Sequence, residues 1–258
     1  YTDHLVFNSV SEAEEYLNSD EAEEVYFGRR LSIVTEGIYL SYIVQPGSNG
    51  NEYSVVPIDT DTQMVWSDID EDVEYTEASS SEDIASALNV ESGQVNLEIT
   101  DDLTVSADTL FKVKSGVDAI VKIDEGKTIE TSARLFDVED GATLTLSGTG
   151  TIKTSMTKTN GIISADGTNS KVIIDGITID AYTEKGSANN YAYGIYAANG
   201  ATVDMYAGVI KTGLGSCIST NNTTGGGTIN IRGGELYCDG SYAIYNAAQG
   251  NVNISGGK

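Results

Sequence analysis

The residues that could perform catalysis are unevenly supplied in this chain. Its 258 residues include 39 Asp and Glu, one histidine (His4) and two cysteines (Cys217 and Cys238). A single histidine excludes any mechanism that needs two imidazoles, and two cysteines are too few for a disulfide framework. Carboxylates are therefore the abundant group from which a catalytic or calcium-binding site would have to be built.

The net charge of −25 excludes several classes of partner. Nucleic-acid binding needs clustered Lys and Arg to neutralise phosphates, so we expect no nucleic-acid partner. No run of 18 apolar residues is present, which predicts no membrane insertion. The glycine runs at 225–227 and 233–234 lack the following Lys-Ser/Thr and helix of a phosphate loop. We expect no cofactor and no metal.

Tyrosine is the side chain best suited to binding. The chain has 15 tyrosines, and eight of them fall between residues 182 and 245. A tyrosine ring offers a flat apolar face and a polar tip, which suit a sugar ring or a protein partner. The alternative is that these aromatic residues simply occupy exposed strand positions, which they favour in any case. The predicted ligand-binding residues are Tyr182, Tyr191, Tyr196, Tyr206 and Tyr245.

A repeat of apolar residues predicts which elements position these side chains. From residue 95 onward, an apolar–any–apolar unit returns at intervals of 23–31 residues. Side chains two apart on a strand share a face, so each unit points two residues into one core. The first inward column is Val95, Val121, Leu144, Val172, Val203, Ile229 and Val252. The second inward column is Leu97, Ile123, Leu146, Ile174, Met205, Ile231 and Ile254.

Further columns indicate that each unit contains three short strands. A small residue follows the second column and predicts a tight bend, at Gly148, Gly176, Ala207, Gly233 and Gly256. The third column, after the bend, is Leu103, Ile129, Ile152, Ile179, Ile210 and Leu236. The column of the remaining strand is Phe111, Phe136, Ile162, Ile195, Ile218 and Ile244.

These columns predict an all-β fold, a right-handed parallel β-helix of about seven coils. An open first coil would expose unpaired backbone, so it needs a cap. Ser80-Ser81-Glu82-Asp83 has the pattern of a capping box, and Ile84, Ala85 and Leu88 follow on one helical face. We therefore expect a capping helix over Ser81–Leu88. The two cysteines are interpreted as buried small hydrophobic residues, with a disulfide between neighbouring coils as the alternative.

The residues at outward-facing strand positions show whether the sequence could form the catalytic site of an enzyme. A lyase of this fold would need several carboxylates stacked on one outer face, with a Lys or Arg base nearby. One outward column is Lys122, Thr145, Ile173, Asp204, Asn230 and Asn253, and another is Lys112, Asp137, Ile163, Tyr196, Ser219 and Tyr245. Neither column places two carboxylates on adjacent coils, and Asp204 is expected to meet Arg232 diagonally as a surface ion pair. We therefore predict no catalytic residues and no enzyme activity.

The part of the chain before the repeat differs in charge. Residues 1–80 hold 18 of the 39 acids but 2 of the 14 bases. We predict a small α+β anchoring module at 1–66, an acidic, serine-rich linker at 67–80, and the β-helix at 81–258, continuing beyond residue 258. Within the module, Ser11–Glu14 opens a short helix. The segments Ser32–Val34, Ile38–Val44 and Tyr53–Ile58 form a three-stranded meander.

Two resemblances narrow the prediction. The phrases Gly141-Ala142-Thr143-Leu144-Thr145-Leu146-Ser147-Gly148 and Gly227-Thr228-Ile229-Asn230-Ile231-Arg232-Gly233-Gly234 resemble pectate-lyase-like right-handed β-helices of large surface proteins from gut Firmicutes. Those proteins often act in adhesion without lyase chemistry. The front segment from Val25 to Gly37, followed by Tyr42-Ile43-Val44-Gln45-Pro46, is similar to β-modules in capsid and tail-fibre proteins of tailed phages of gut bacteria.

The resemblances imply a non-enzymatic structural or adhesion protein. We expect a phage virion appendage, a capsid or tail fibre, with residues 1–66 bound to other virion structural proteins and the β-helix as shaft or receptor-binding body. The alternative is an extracellular or bacterial cell-surface adhesin whose β-helix face binds a host glycan or protein. A polysaccharide lyase or hydrolase is the third hypothesis. A homo-oligomer is compatible with all three.

Overall fold

The structure, a computed structural model, divides the chain into two compact units, Tyr1–Glu74 and Tyr75–Lys258. Among the residues that it describes, no helix is long and apolar enough to cross a bilayer. The described residues are 6–7, 13, 16, 30–35, 38–46, 53–57, 74–156, 161–182, 192–220, 225–246 and 250–258.

The first unit contains a four-stranded sheet in the order β1-β2-β3-β4. Its strands are β1 (Val6–Phe7), β2 (Arg30–Thr35), β3 (Ile38–Pro46) and β4 (Tyr53–Pro57). The antiparallel pairs β2–β3 and β3–β4 form the predicted meander. Strand β1 pairs with β2 in parallel, which the sequence did not predict. Of the predicted helix at Ser11–Glu14, the described residue Ala13 is helical and buried, and the rest lies outside the described residues.

The second unit begins with a strand and a capping helix. Strand β5 (Thr76–Ala78), in the stretch predicted as linker, pairs in parallel with the first strand of the coil. Helix α1 (Ser81–Leu88) forms where the capping box predicts it. The Ser80 hydroxyl accepts from the Asp83 backbone N–H at 3.1 Å, and the Asp83 carboxylate accepts from the Ser79 N–H at 3.1 Å. These bonds satisfy donors that a helix start leaves open.

Helix α1 covers the first coil through one apolar face. Ile84 and Leu88 are buried, and the helix packs against strands of that coil. Ala85, predicted on the same face, is exposed, while Ala87 is the alanine that packs against the core. Removing these side chains from water also closes the end of the core.

Within the part of the second unit that the structure describes, six coils of three strands each follow, and then the first strand of a seventh. In chain order the first three coils are β6 (Gly93–Ile99), β7 (Leu103–Val105), β8 (Phe111–Val113); β9 (Val117–Ile123), β10 (Thr128–Thr131), β11 (Phe136–Val138); and β12 (Thr143–Gly148), β13 (Thr151–Thr154), β14 (Gly161–Asp166). The others are β15 (Lys171–Asp175), β16 (Thr178–Ala181), β17 (Tyr193–Ala198); β18 (Thr202–Met205), β19 (Val209–Thr212), β20 (Ile218–Ser219); β21 (Thr228–Ile231), β22 (Glu235–Cys238), β23 (Ile244–Tyr245); and β24 (Asn251–Ile254).

Equivalent strands of successive coils pair in parallel and form three sheets. Sheet 1 has the order β24-β21-β18-β15-β12-β9-β6-β5, sheet 2 has β22-β19-β16-β13-β10-β7, and sheet 3 has β23-β20-β17-β14-β11-β8. The fold is therefore a parallel β-helix, as the apolar columns predict, and all seven predicted repeat starts lie in strands of sheet 1.

The register corrects the first two predicted columns at one coil. Val95 lies opposite Ala119, and Val121 lies between Leu97 and Leu146. Val121 therefore belongs to the second column, and Ile123 lies opposite Gly148. Strand β9 buries four alternate residues, Val117, Ala119, Val121 and Ile123, so an alternating pattern alone is consistent with two registers that differ by two residues.

The sheet 2 column follows the prediction at every coil, from Leu103 to Leu236. The sheet 3 column needs one correction. Phe136 pairs with Ile163 rather than Ile162, so the outward residue of that coil is Ser164. Strand β14 buries both isoleucines, which removes the alternation that would have distinguished them.

The predicted bends depend on glycine where coils approach closely. Gly148 and Gly176 have φ values of +88° and +107°, and a Cβ on either would collide with the carbonyl of the coil before it, that of Ile123 or of Gly148. In the next two coils the left-handed residues are Gly208 and Gly234, each one position later than predicted. Only glycine adopts this backbone and leaves that space empty without strain.

We expect Gly148→Ala to destabilise the solenoid more than Gly126→Ala. Both glycines have left-handed backbones, but a Cβ at Gly126 has no atom within 4 Å, whereas at Gly148 it meets the Ile123 carbonyl. The collision should add about 1–3 kcal/mol to the backbone strain that both variants share. Urea unfolding of the two variants measures the difference, and equal losses would contradict the close approach.

Candidate functional site

The predicted binding tyrosines lie on three sides of the β-helix rather than on one. Tyr196 and Tyr245 project from sheet 3, in one outward column with Ser219 between them, as predicted. Tyr182 directly follows β16 of sheet 2, and Tyr206 directly follows β18 of sheet 1. Tyr191 lies outside the described residues. The four tyrosines that the structure describes therefore do not form one continuous surface.

Each sheet 3 tyrosine is stacked on a second tyrosine that the prediction omitted. The rings of Tyr193 and Tyr196 are 6.3 Å apart, and those of Tyr242 and Tyr245 are 5.5 Å apart. Burial, and after it the charge of Asp166, raises the pKa of Tyr196. Two separated aromatic pairs flank the short side chain of Ser219 on this face.

Tyr206 is engaged by a neighbouring coil. The Arg232 guanidinium lies 5.4 Å from the Tyr206 ring centre, a cation–π distance. Burial, followed by the charge of Asp204, raises the pKa of Tyr206, and Arg232 opposes that shift. Tyr206 is therefore half-buried at the surface of the β-helix.

Asp204 makes a different ion pair from the one predicted. Its carboxylate lies 2.7 Å from the Lys171 Nζ and accepts from the Asn230 amide at 2.6 Å. The Asn253 amide donates to Asn230 at 2.8 Å, which extends the ladder by one coil. Asp204 is buried, and Lys171 and Asn230 supply the compensation that a buried carboxylate requires.

Two further outward carboxylates, those of Glu130 and Asp180, alternate with lysines along sheet 2. In sheet 2, Glu130 pairs in register with Lys153, which in turn pairs with Asp180, which pairs with Lys211. The Glu130–Lys153 separation is 3.7 Å. This column, hereafter the charge ladder, was not predicted. Its signal is the residue after each of the four middle members of the third apolar column, Ile129, Ile152, Ile179 and Ile210, where acid and base alternate from coil to coil.

One pair of carboxylates does interact across adjacent coils. Burial, and then the charge of Glu98, raises the pKa of Asp124, which follows β9. Lys122 lies 3.2 Å from Glu98 and supplies the opposite charge. Among the described residues, no group of three His, Cys, Asp or Glu is arranged to hold a metal ion.

A groove of about 420 Å³ is lined by the first two members of the charge ladder, Glu130 and Lys153. Strands β7, β10 and β13 and the residues after them form its floor and rim, and Tyr182 lies at one side. Its lining includes Glu130, Lys153, Ser132, Ser155, Thr104 and Tyr182. This groove, hereafter the sheet 2 groove, is the cavity that brings a predicted binding tyrosine together with charged and hydroxyl side chains.

Both cysteines are free thiols. The Cys217 thiol is buried and donates to the carbonyl oxygens of Ile210 and Tyr237 at 3.3 and 3.2 Å. Burial raises the pKa of Cys217 to about 12. A buried thiol with this pKa is a poor nucleophile, which agrees with the interpretation of this residue as a packing side chain. Cys238 is partly exposed, and its thiol donates to the Gly215 carbonyl at 3.2 Å.

Comparison of the chain with models of known protein families, with curated proteins and with solved structures finds no match. The architecture itself is consistent with the pectate-lyase-like β-helix.

We expect Asp175→Asn to stabilise the protein at pH 7 and not at pH 3. Burial raises the pKa of Asp175 above its ordinary value of 3.8, so the charged form is penalised in the folded state. The resulting loss of folding stability is absent below the pKa that Asp175 has in the unfolded chain. It grows as the pH rises from that value and is complete above the pKa that Asp175 has in the folded chain. Urea unfolding at both pH values measures it, with the exposed Asp118→Asn as control. An unchanged or lower stability at pH 7 would contradict the burial cost.

Thiol labelling should separate the two cysteines. In the folded chain at pH 8, we expect iodoacetamide to modify Cys238 and to leave Cys217 protonated and unmodified, because Cys217 is inaccessible and titrates near pH 12. In denaturant both should react. Peptide mass spectrometry gives the sites, and rapid native labelling of Cys217 would refute its burial.

Proposed function

We propose that the chain is a non-enzymatic structural and adhesion protein, a capsid or tail-fibre appendage of a phage virion. In this proposal residues 1–66 bind other virion structural proteins, and the β-helix acts as a stiff shaft or receptor-binding body. The resemblance of the front segment to phage β-modules motivates the virion setting. The continuous β-helix motivates the mechanical role, because every strand of a coil is tied to its neighbours through backbone hydrogen bonds.

The observation that carries the non-enzymatic part of the proposal is the placement of three outward carboxylates, those of Asp204, Glu130 and Asp180, beside or in register with lysines. Asp204 is buried against Lys171 and Asn230, and Glu130 and Asp180 alternate with lysines in the charge ladder. General acid–base catalysis needs a carboxyl group of suitable pKa within reach of a substrate. Carboxylates held in such ladders are better suited to stabilising a surface than to transferring protons.

The second candidate is an adhesin on a bacterial cell surface or in the extracellular space, with a glycan or protein of the host as ligand. The sheet 2 groove favours this candidate, because it combines hydroxyl, charged and aromatic side chains in one cavity. Both candidates use the β-helix as a rigid carrier of a recognition surface. They differ in where the protein is located, on a phage particle in the first candidate and on a bacterial cell surface or in the extracellular space in the second.

Electron microscopy of the native assembly tests the proposal. Gold-labelled antibodies against residues 75–258 should decorate purified phage particles from a culture that carries the gene. Label confined to bacterial envelopes would instead favour the adhesin.

The enzyme hypothesis is tested with the same chain. We expect no absorbance of unsaturated uronides and no new reducing ends across a panel of polysaccharides. Turnover that is lost in Asp175→Ala or Asp204→Ala, in variants that remain folded by circular dichroism, would refute the non-enzymatic assignment.

A further inference from the structure

We propose that the sheet 2 groove binds a neutral saccharide of one or two sugar rings. This inference rests on the adhesive role proposed above and adds a site and a ligand class to it. It depends on four properties of the groove, namely its size, its exposed hydroxyl groups, its aromatic side and its charge balance.

The size of the groove suits a small polar ligand. Its volume of about 420 Å³ falls in the range of roughly 300–1,000 Å³ that small-molecule sites occupy. The groove lies on the outer surface of three consecutive coils, so a ring that enters it contacts side chains from strands β7, β10 and β13 together. An unbranched segment of a longer glycan could enter it in the same way as a free sugar.

The backbone that carries the exposed serines of the groove is held by hydrogen bonds of two buried threonines, Thr131 and Thr154. The Thr154 hydroxyl donates to the Thr131 carbonyl at 3.0 Å and accepts from the Met156 N–H at 3.0 Å. The Thr131 hydroxyl similarly accepts from the Ala133 N–H at 3.2 Å. These bonds fix the exposed residues that follow each threonine, Ser132 and Ser155. Pre-organised donors and acceptors lose little entropy when a ligand binds.

Tyr182 provides the aromatic side. Its ring centre lies 5.9 Å from that of Tyr237 at an angle of 60°, and its backbone N–H donates to the Asp180 carboxylate at 3.0 Å. Contacts on both the ring and the backbone orient this side chain at the edge of the groove, where it remains 38% exposed. The C–H face of a sugar ring can pack on such a ring while its hydroxyls bind the polar lining.

The charge balance selects against charged sugars. The Lys153 Nζ lies 3.7 Å from the Glu130 carboxylate, so the positive charge that faces the groove is balanced by a neighbouring negative one. Residues 81–258 hold 21 acids and 12 bases, a net charge of −9, which repels uronate and sulfated glycans. Glu130 supplies acceptors and Lys153 supplies donors, and a neutral polyol can use both without disturbing their pairing.

Saturation-transfer NMR on the full chain tests the inference. The probes are neutral, uronate and sulfated disaccharides, first free and then as segments of intact polysaccharides. We expect saturation of the neutral probes. Tyr182→Ala should weaken their binding about tenfold, because it removes the stacking surface. Tyr242→Ala is the matched control, since it removes an exposed tyrosine from the sheet 3 side and should leave binding unchanged.

A double variant, Glu130→Gln with Lys153→Met, keeps the groove shape and removes both charges; it should also weaken binding. The inference is overturned if no neutral saccharide binds at millimolar concentration, if charged probes bind more tightly, or if Tyr242→Ala rather than Tyr182→Ala reduces binding. A chain that decorates particles but binds no saccharide would defeat this inference and leave the proposed function intact. Saccharide binding without particle decoration would support the groove and favour the adhesin.

Discussion

Parallel hydrogen bonding between equivalent strands of successive coils is the constraint on which the rest of this structure depends. Because each strand pairs with the coil before it and the coil after it, a residue at one position is stacked on its counterpart in every neighbouring coil. Inside the tube this stacking requires aliphatic side chains in every layer. At the bends it requires glycine at positions such as Gly148 and Gly176, where one coil touches the carbonyl of another.

The same stacking organises the outside of the tube. Like charges in one column would lie a strand spacing apart, about 4.8 Å, so alternation of acid and base is favourable even where each exposed pair contributes less than ~1 kcal/mol. The charge ladder and the Lys171–Asp204–Asn230 cluster follow from this. Residues 1–80 account for 16 of the 25 net negative charges, and residues 81–258 account for the other 9. Recognition would then depend on grooves and turns more than on a charged face.

The apolar columns predicted the architecture because aliphatic periodicity is set by burial. The errors arose where burial left two choices. Strand β9 offers Ala119 and Val121 as alternative partners for Val95, and a small inward alanine carries a weak signal. Strand β14 buries residues on both faces, so Ile162 and Ile163 were indistinguishable by alternation.

The candidate site was less predictable than the fold. Tyr182 was identified by its residue type, but its neighbours Glu130, Lys153 and Ser155 come from other coils and meet only after the register is known. The five tyrosines fall within a stretch of 64 residues, but each coil of roughly two dozen residues circles the whole tube. Proximity along the chain therefore says little about which side of the tube a residue occupies.

The hydrogen bonds between coils run along the axis of the tube, so the response of the solenoid to a pulling force depends on the direction of that force. Tension along that axis acts on every junction between one coil and the next. At each junction the load is divided among the hydrogen bonds of the three sheets. Such a rod should lengthen under force in discrete increments, one turn of chain at a time, and re-form as tension falls. Below the force that separates one coil from the next, such a rod should keep its length.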